Sequence, residues 1–295
     1  MKIASFNDYQ VGVVDGQELF DMTSTLPDFL SQLPRQRINW LVQHWSSLKE
    51  TFADYRRIGK VFVLSSVKLL PANPAPQHLF AAPANYQKHI GELGDRAVTK
   101  GGRSAREQGF FLKAPGSLVG AGEALQLPRG SARRLDHESE LAIVISKEAR
   151  NVPRAKAMDF VFGYSCLIDA TMRIEKGVAV EERSMRKSFE TFTPLGPWIV
   201  TSDEVPQPNS LKNQLWVNGE LMQSANTSEM IVDIPELIEL VSSVITLQPG
   251  DVIATGTPEG VGPFVAGDSV KIEIEHVGSM TLPVLECEVR SPRPY

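Results

Sequence analysis

The feature of this 295-residue sequence that most constrains its fold is one strand-like segment, residues 136–145, with two glutamates near its start. Side chains along a β-strand alternate between two faces, so Glu138 and Glu140 lie on one face, which Ala142 and Val144 continue. The odd-numbered positions from 141 onward are also apolar. The pattern therefore predicts a strand that is buried on both faces and carries two carboxylates at one end.

Two ionised carboxylates side by side on a buried strand repel each other and lose their hydration. A hard divalent cation would relieve both problems, because Mg²⁺ and Ca²⁺ take oxygen ligands. We therefore interpret Glu138 and Glu140 as candidate metal ligands. The alternative is that this end of the strand emerges into solvent, where charged side chains are common and need no ion.

Composition and charge narrow the class of protein. The net charge is −5 and no block of Lys and Arg forms a basic stripe, which argues against a nucleic-acid partner. No apolar run is long enough to span a membrane, and the first 19 residues lack the apolar core of a secretory signal. Cys166 and Cys287 have neither metal-site nor redox spacing, which indicates a reducing compartment, with the cytoplasm as the default.

The order of the predicted elements indicates two domains of an α+β protein. Residues 1–70 contain short strand signals and an amphipathic helix predicted over about residues 36–55, so we expect a small N-terminal α+β domain without chemistry of its own. The proline-rich residues 71–76 are predicted to be a linker. Residues 71–295 hold all the candidate site residues and are expected to form the larger domain.

A short helix is predicted after the linker, with Asn85 as its N-cap and Gly94 as its C-terminal stop. His89 and Glu92 are three residues apart, so they share a face of this helix. Glu92 could orient His89 and tune it as a general base. Alternatively, the two form an ordinary surface pair, which contributes little.

Three further charged residues are candidates for the same site. Asp169 follows a second apolar strand pattern, residues 160–168, and is a third possible oxygen ligand, or else a helix N-cap. Arg173 would suit a substrate carboxylate or a structural ion pair. Lys113 could offer its charge to an acidic substrate or simply lie on the rim.

Two later segments have strong local signals. Asn218-Gly219 between apolar runs predicts a hairpin with a type I′ turn. Residues 256–262 are rich in glycine, which indicates positive φ angles or a close approach of backbone to ligand. This segment is not a phosphate loop, because no Lys-Ser/Thr pair follows it.

Taken in order, these segments resemble the fumarylacetoacetate hydrolase superfamily over about residues 70–289. The segments that carry the resemblance are Asn85-Tyr86 with His89 and Glu92, Phe111-Leu112-Lys113, Glu138-Ser139-Glu140-Leu141-Ala142, Gly163-Tyr164 with Asp169 and Arg173, Lys187-Ser188-Phe189, Pro194-Leu195-Gly196-Pro197-Trp198, and Gly256-Thr257-Pro258-Glu259-Gly260-Val261-Gly262. The resemblance implies a mainly β fold of rolled mixed sheets, usually in a homodimer. It also implies a divalent cation, Mg²⁺ or in its place Mn²⁺ or Ca²⁺, held by Glu138, Glu140 and Asp169.

The resemblance also implies catalytic roles. His89 and Glu92 would be the pair that activates water, and Lys187 would lie beside the metal and stabilise negative charge. Thr257 and neighbouring backbone amides would hold a substrate carboxylate. Two positions depart from the family pattern: Ile168 stands where Asn often precedes the metal Asp, and Ile174 stands where Asp often follows the Arg. These departures concern the choice of substrate.

Members of this superfamily act on 2-oxo acids, and three hypotheses follow. The first is a metal-dependent hydrolase that cleaves a C–C bond in a 2,4-dioxo acid, such as an acylpyruvate or fumarylpyruvate, through a metal-stabilised enolate and water activated by His89 and Glu92. The second is a metal-dependent decarboxylase or isomerase of a 2-oxo or 2-hydroxy-diene dicarboxylate in aromatic catabolism. The third is a β-rich binding domain with a structural metal.

Overall fold

The computed structural model describes residues 1–93, 103–174 and 183–290. Within these ranges the chain is a mixed α+β protein in which strands predominate, as predicted. The strands are β1 (Lys2–Phe6), β2 (Gln10–Asp15), β3 (Glu18–Asp21), β4 (Lys60–Val63), β5 (Leu79–Ala81), β6 (Phe111–Leu112), β7 (Leu118–Val119), β8 (Leu125–Arg129), β9 (Leu135–Asp136), β10 (Ser139–Ile145), β11 (Val161–Ile168), β12 (Thr171–Met172), β13 (Thr193–Thr201), β14 (Lys212–Val217), β15 (Glu220–Asn226), β16 (Val252–Ala254), β17 (Ser269–Ile274) and β18 (Gly278–Arg290). The helices are α1 (Pro27–Ser31), α2 (Arg37–Gln43), α3 (Trp45–Ala53), α4 (Tyr55–Ile58), α5 (Gln87–Leu93), α6 (Ala105–Gln108), α7 (Arg183–Arg186) and α8 (Ile234–Val244). The predicted stop at Gly94 lies outside the described residues.

The largest sheet has the order β4-β3-β2-β1-β13-β11-β10-β16-β5-β6, with β7 added alongside β13. β10 lies inside this sheet, antiparallel to β11 on one side and to β16 on the other. Its two faces contact different apolar clusters: Ala142 and Val144 lie in one, and Leu141 and Ile143 in the other. The alternation predicted from the sequence is therefore confirmed, and it places the glutamate end of β10 inside the fold.

The predicted strand over residues 136–145 is interrupted, however. β9 ends at Asp136 and β10 begins at Ser139. His137 between them donates its backbone N–H to the carbonyl of Gly262, at 3.1 Å, and the carbonyl of Glu138 accepts from Asp169, at 2.8 Å. These bonds hold the interrupted backbone between the glycine-rich segment and the end of β11.

A second sheet, of order β15-β14-β17-β18-β8, lies beside the first, and β9 pairs with β12 in a separate two-stranded ladder. The turn of the β14–β15 hairpin has φ angles of 52° at Asn218 and 83° at Gly219, so the predicted type I′ turn is confirmed. Helix α8 begins after Asp233, whose carboxylate accepts from the backbone N–H of Glu236 at 3.0 Å.

The N-terminal residues continue the large sheet, because β1 pairs with β13. The division into domains at residue 70 stays a prediction. The single helix predicted over residues 36–55 is wrong: the chain forms α2, α3 and α4, interrupted at His44 and Asp54. The His44 ring, which bonds to the carbonyl of Trp40 at 2.8 Å, accompanies the first interruption.

The proline-rich segment, residues 71–76, is not an exposed linker. Asn73 is fully buried, and its amide donates to the carbonyl of Gly250 and to the side chain of Asn39, both at 2.7 Å. The segment therefore packs as part of the core. No helix in the described part of the chain is long and apolar enough to cross a membrane.

Candidate active site

Three acidic side chains that are distant in sequence converge where β10 and β11 meet. Glu138 precedes β10, Glu140 lies in it, and Asp169 follows β11. One carboxylate oxygen from each lies within 4.8 Å of the others, and all three side chains are buried. The antiparallel pairing of the strands explains the convergence, since Glu140 pairs with Leu167 and Ser139 with Ile168.

Lys187 lies against two of these carboxylates. Its Nζ donates to Glu138 Oε2 at 2.7 Å, to Asp169 Oδ2 at 2.5 Å and to the hydroxyl of Thr171 at 2.7 Å. The side chain is 6% exposed, so this positive charge is poorly screened by water. The structure thus brings Lys187 to the acidic cluster.

Lys113 lies on the other side of Asp169 and is fully buried. Its Nζ donates to Asp169 Oδ1, to the carbonyl of Lys187 at 2.5 Å and to the carbonyl of Phe192 at 3.2 Å. An ammonium group has three hydrogens, and these acceptors account for all of them. A contact between Lys113 and substrate stays a prediction, and it would require one of these bonds to break.

Arg173 connects the cluster to a neighbouring acid. Its guanidinium donates to Asp136 Oδ2 at 2.6 Å and lies 2.7 Å from Glu138 Oε1. Its side chain is 20% exposed, whereas that of Asp136 is buried. The ion pair that the sequence left open as an alternative is therefore present, and it holds Glu138 from the side opposite Lys187.

His89 and Glu92 face each other on helix α5. His89 Nδ1 lies 3.5 Å from Glu92 Oε2, and the imidazole is buried. Glu92 Oε2 also accepts a hydrogen bond from the backbone N–H of Gly260, at 3.2 Å. The predicted N-cap at Asn85 is wrong, because its side-chain amide bonds to Val232 and Thr255 and not to the first turn of the helix.

The glycine-rich segment links the two groups of residues. The backbone N–H of Gly256 donates to Glu140 Oε2 at 2.6 Å, and Gly260 bonds to Glu92 as described above. Thr257 lies between them and is buried. The segment therefore brings the acidic cluster and the His89–Glu92 pair into one site.

Sequence reasoning missed Gln223, which lies buried in β15 on the second sheet. Its Nε2 donates to Thr257 Oγ1 at 2.9 Å, and its Oε1 accepts from the backbone N–H of Ser139 at 3.0 Å. A glutamine on a hairpin strand gives no sequence signal of this kind. Only the packing of the second sheet against the first reveals it.

Burial and neighbouring charges shift the pKa values of Glu138 and Glu140 in opposite directions. Burial alone would raise the pKa of Glu138, but Lys187 and Arg173 outweigh it and hold that pKa far below its ordinary value. Burial, together with Asp169 and Glu138, raises the pKa of Glu140 well above its ordinary value. A second positive charge near Glu140 would stabilise its ionised form, and a cation held by all three carboxylates would supply it.

The donor set fits a hard divalent cation. Three converging carboxylates provide the oxygen ligands that Mg²⁺, Mn²⁺ and Ca²⁺ prefer, and no thiol or imidazole among the described residues belongs to this cluster. The burial of the three side chains excludes the alternative in which this strand end emerges into solvent.

Comparison with known proteins agrees with this fold. The family described as "Fumarylacetoacetate (FAA) hydrolase C-terminal" matches residues 78–285. The chain therefore belongs to the fumarylacetoacetate hydrolase family.

Individual relatives match nearly the whole chain. This chain is 46% identical to the maleylpyruvate hydrolase of Aquipseudomonas alcaligenes, over 96% of its own length and 99% of that protein's length. A crystal structure of maleylpyruvate hydrolase from Sphingobium sp. SYK-6 in complex with manganese(II) ion and pyruvate superposes with a TM-score of 0.85 at 38% identity, covering 98% of this chain and 100% of that one. The 2-hydroxyhepta-2,4-diene-1,7-dioate isomerase of Mycobacterium marinum has a TM-score of 0.73 at 26% identity, with coverage of 98% and 100%.

These similarities, together with the acidic cluster, confirm the predicted enzyme class, a metal-dependent hydrolase of C–C bonds. The third hypothesis, a binding domain with a structural metal, is therefore not retained.

Proposed function

We propose that this enzyme hydrolyses an acylpyruvate of the maleylpyruvate or fumarylpyruvate type, a 2,4-dioxo acid, to pyruvate and a second carboxylic acid. The observation that carries the proposal is the glycine-rich segment, which is bonded to Glu140 through Gly256 and to Glu92 through Gly260. One substrate could therefore contact the acidic cluster and the His89–Glu92 pair together. The similarity to maleylpyruvate hydrolases supports this substrate class.

Glu138, Glu140 and Asp169 would hold the divalent cation, Mg²⁺ or Mn²⁺. When bound, it would supply Lewis-acid polarisation of the 2-oxo acid and stabilise the negative charge that develops as the C–C bond breaks. Asp169 is held for this task on both sides, by Lys113 and by Lys187.

The remaining residues of the site have distinct tasks. His89, held by Glu92, takes a proton from the water that attacks the acyl carbonyl. Lys187 provides a fixed, buried positive charge beside the oxygen atoms that become negative. The hydroxyl of Thr257 and its backbone neighbours bind the substrate carboxylate. The bond between the acyl carbon and the methylene carbon breaks, and a proton completes the methyl group of pyruvate.

The second candidate function is the isomerisation of a diene-dioate, which the similarity to the Mycobacterium marinum isomerase supports, or the decarboxylation of a 2-oxo dicarboxylate. Neither reaction needs an attacking water, so neither depends on His89 to activate one.

We also propose, from the family resemblance, that the protein is a homodimer, which light scattering of the purified protein will test.

The test is a substrate panel with and without Mg²⁺, comparing wild type with His89→Ala. We expect the wild type to convert acylpyruvates to stoichiometric pyruvate only with the metal, and His89→Ala to lose at least 100-fold in kcat while still binding Mn²⁺ in a calorimetric titration. His276→Asn is the matched control, since His276 is 60% exposed on a hairpin turn and has a positive φ that Asn tolerates. Conversion of diene-dioates or oxaloacetate, with acylpyruvates untouched, would instead establish the second candidate.

A further inference from the structure

The side-chain amide of Gln223 joins three segments of the site. Its Oε1 accepts from the backbone N–H of Ser139 at 3.0 Å and lies 3.2 Å from His137 Nδ1. Its Nε2 lies 2.9 Å from Thr257 Oγ1 and 3.0 Å from the carbonyl of Pro258, with the carbonyl of the next residue at 3.4 Å. The residue is 1% exposed, so all these bonds are shielded from water.

The chemistry of these partners fixes which end of the amide is which. The backbone N–H of Ser139 can only donate, so the group facing it must be the oxygen. The carbonyl of Pro258 can only accept, so the group facing it must be the nitrogen. Both ends give the same answer. The nitrogen carries two hydrogens, and its two shorter contacts, Thr257 Oγ1 at 2.9 Å and the Pro258 carbonyl at 3.0 Å, account for them.

The hydrogen bond that Gln223 donates to Thr257 Oγ1 restricts the direction in which the Thr257 hydroxyl hydrogen can point. The oxygen accepts from Gln223, so the single hydroxyl hydrogen must point elsewhere. Within residues 1–93, 103–174 and 183–290, Oγ1 has no second hydrogen-bond partner. The hydroxyl is thus preset as a donor for a ligand, and the ligand atom that suits it is an acceptor such as a carboxylate oxygen.

We propose that Gln223 is a positioning residue that presets the Thr257 hydroxyl as a hydrogen-bond donor to the carboxylate of the 2-oxo acid substrate. The inference rests on the proposed function, in which Thr257 contacts that carboxylate. A hydroxyl free to rotate would spend part of its time presenting its lone pairs to the anion, which is repulsive. The amide of Gln223 removes that orientation before the substrate arrives.

Gln223 also makes this contact depend on the second sheet. It lies in β15, at one edge of the five-stranded sheet, while Ser139 lies in β10 of the large sheet. The β14–β15 hairpin is therefore expected to determine how tightly the substrate carboxylate is held. Gln223 is not expected to take part in breaking the C–C bond.

The test is a double-mutant cycle with Gln223→Met and Thr257→Val, measured as the Kd of pyruvate for the Mg²⁺-loaded protein and as KM and kcat for an acylpyruvate. Met keeps the length of Gln and removes its hydrogen bonds. We expect each single variant to weaken pyruvate binding by roughly 3- to 10-fold, about the effect of one hydrogen bond, with KM changed more than kcat. The double variant is expected to bind no more weakly than Thr257→Val alone, because Gln223 acts through Thr257.

The matched control is Gln214→Met, the same substitution on the adjacent strand β14, where the side-chain amide makes one hydrogen bond within the described part of the chain, to the hydroxyl of Ser224 at 3.4 Å. It is expected to bind pyruvate as the wild type does. Since Gln223→Met also breaks a bond to the backbone of Ser139, Gln223→Glu provides a second variant. In its ionised form the glutamate keeps an oxygen for Ser139 and has no donor for Thr257.

The outcomes separate the two proposals. Unchanged pyruvate binding in both Gln223 variants, or fully additive losses in the cycle, would overturn the role of Gln223 and leave the proposed function standing. Unchanged pyruvate binding in Thr257→Val would contradict the contact between Thr257 and the substrate carboxylate, and the inference that rests on it. If the double-mutant cycle shows the coupling and the wild type binds pyruvate but hydrolyses no acylpyruvate, the proposed function alone is contradicted.

Discussion

Glu140 and Gly256 are joined by a hydrogen bond in which the backbone N–H of Gly256 donates to the buried carboxylate of Glu140, at 2.6 Å. The bond ties the acidic strand to the glycine-rich segment. Gly256 has φ +90°, and an added Cβ would lie 2.6 Å from Cβ of Asn85 and 3.1 Å from the carbonyl oxygen of Ala82. The position therefore requires glycine for two separate reasons, its conformation and its space.

Gly256→Ala is expected to destabilise the fold and to reduce activity more than tenfold, because the segment must shift away from Asn85 and Ala82 and this disturbs its hydrogen bond to Glu140. Gly267→Ala is the matched control: Gly267 has φ +99°, but nothing lies within 4 Å of an added Cβ. It carries only the conformational cost, about 1–2 kcal/mol. Urea unfolding and kcat/KM check both variants. Equal losses of stability and of kcat/KM in the two variants would show that the contact with Asn85 is unimportant.

Lys113 and Lys49 both pair with an aspartate but differ in burial. Lys113 is fully buried against Asp169, and burial lowers its pKa, whereas the Lys49–Asp203 pair is about half exposed at 3.2 Å. Lys113→Met is expected to cost about 3 kcal/mol and to weaken metal binding, since it removes a bond that orients Asp169. Lys49→Met should cost no more than about 0.5 kcal/mol. Chemical denaturation measures the difference, and a Lys113→Met protein as stable as wild type would contradict this account.

Glu92 is expected to act through its charge. Burial opposes ionisation, but the hydrogen bond from His89 and the backbone N–H groups of the glycine-rich segment outweigh it and lower the pKa of Glu92. A lowered pKa means that Glu92 is ionised throughout the neutral range. Glu92→Gln keeps the size of the side chain and removes the negative charge that faces the His89 ring.

In Glu92→Gln we expect kcat to fall roughly 10- to 100-fold, because the carboxylate that orients His89 is replaced by a neutral amide. Glu50→Gln, an exposed position in α3, is the matched control and should leave kcat unchanged. A kcat in Glu92→Gln equal to that of the wild type would mean that this carboxylate does not act on His89.

Local pattern was sufficient for much of the fold, whereas the set of residues expected at the site came from the family resemblance. Alternation predicts the two faces of β10, and the Asn218-Gly219 turn predicts its hairpin, because each depends on neighbouring residues alone. The local pattern made Glu138, Glu140 and Asp169 candidate ligands but left an alternative for each, and only the family resemblance implied that they converge.

The features that sequence reasoning missed depend on contacts between distant segments. The apolar period of residues 36–55 continues across the interruption at His44, so periodicity alone cannot locate it. The amide of buried Asn73 bonds to Gly250, 177 residues away, and the amide of Gln223 bonds to Ser139, 84 residues away. No local signal marks such partners.

The central claim is that Glu138, Glu140 and Asp169 together hold one divalent cation that the reaction requires. A calorimetric titration with Mn²⁺ of the wild type and of Glu140→Gln tests it most directly. We predict one site per chain in the wild type and at least a 100-fold weaker site in Glu140→Gln, because a buried ligand and its negative charge are lost. Equal Mn²⁺ affinity in the two proteins would contradict the account.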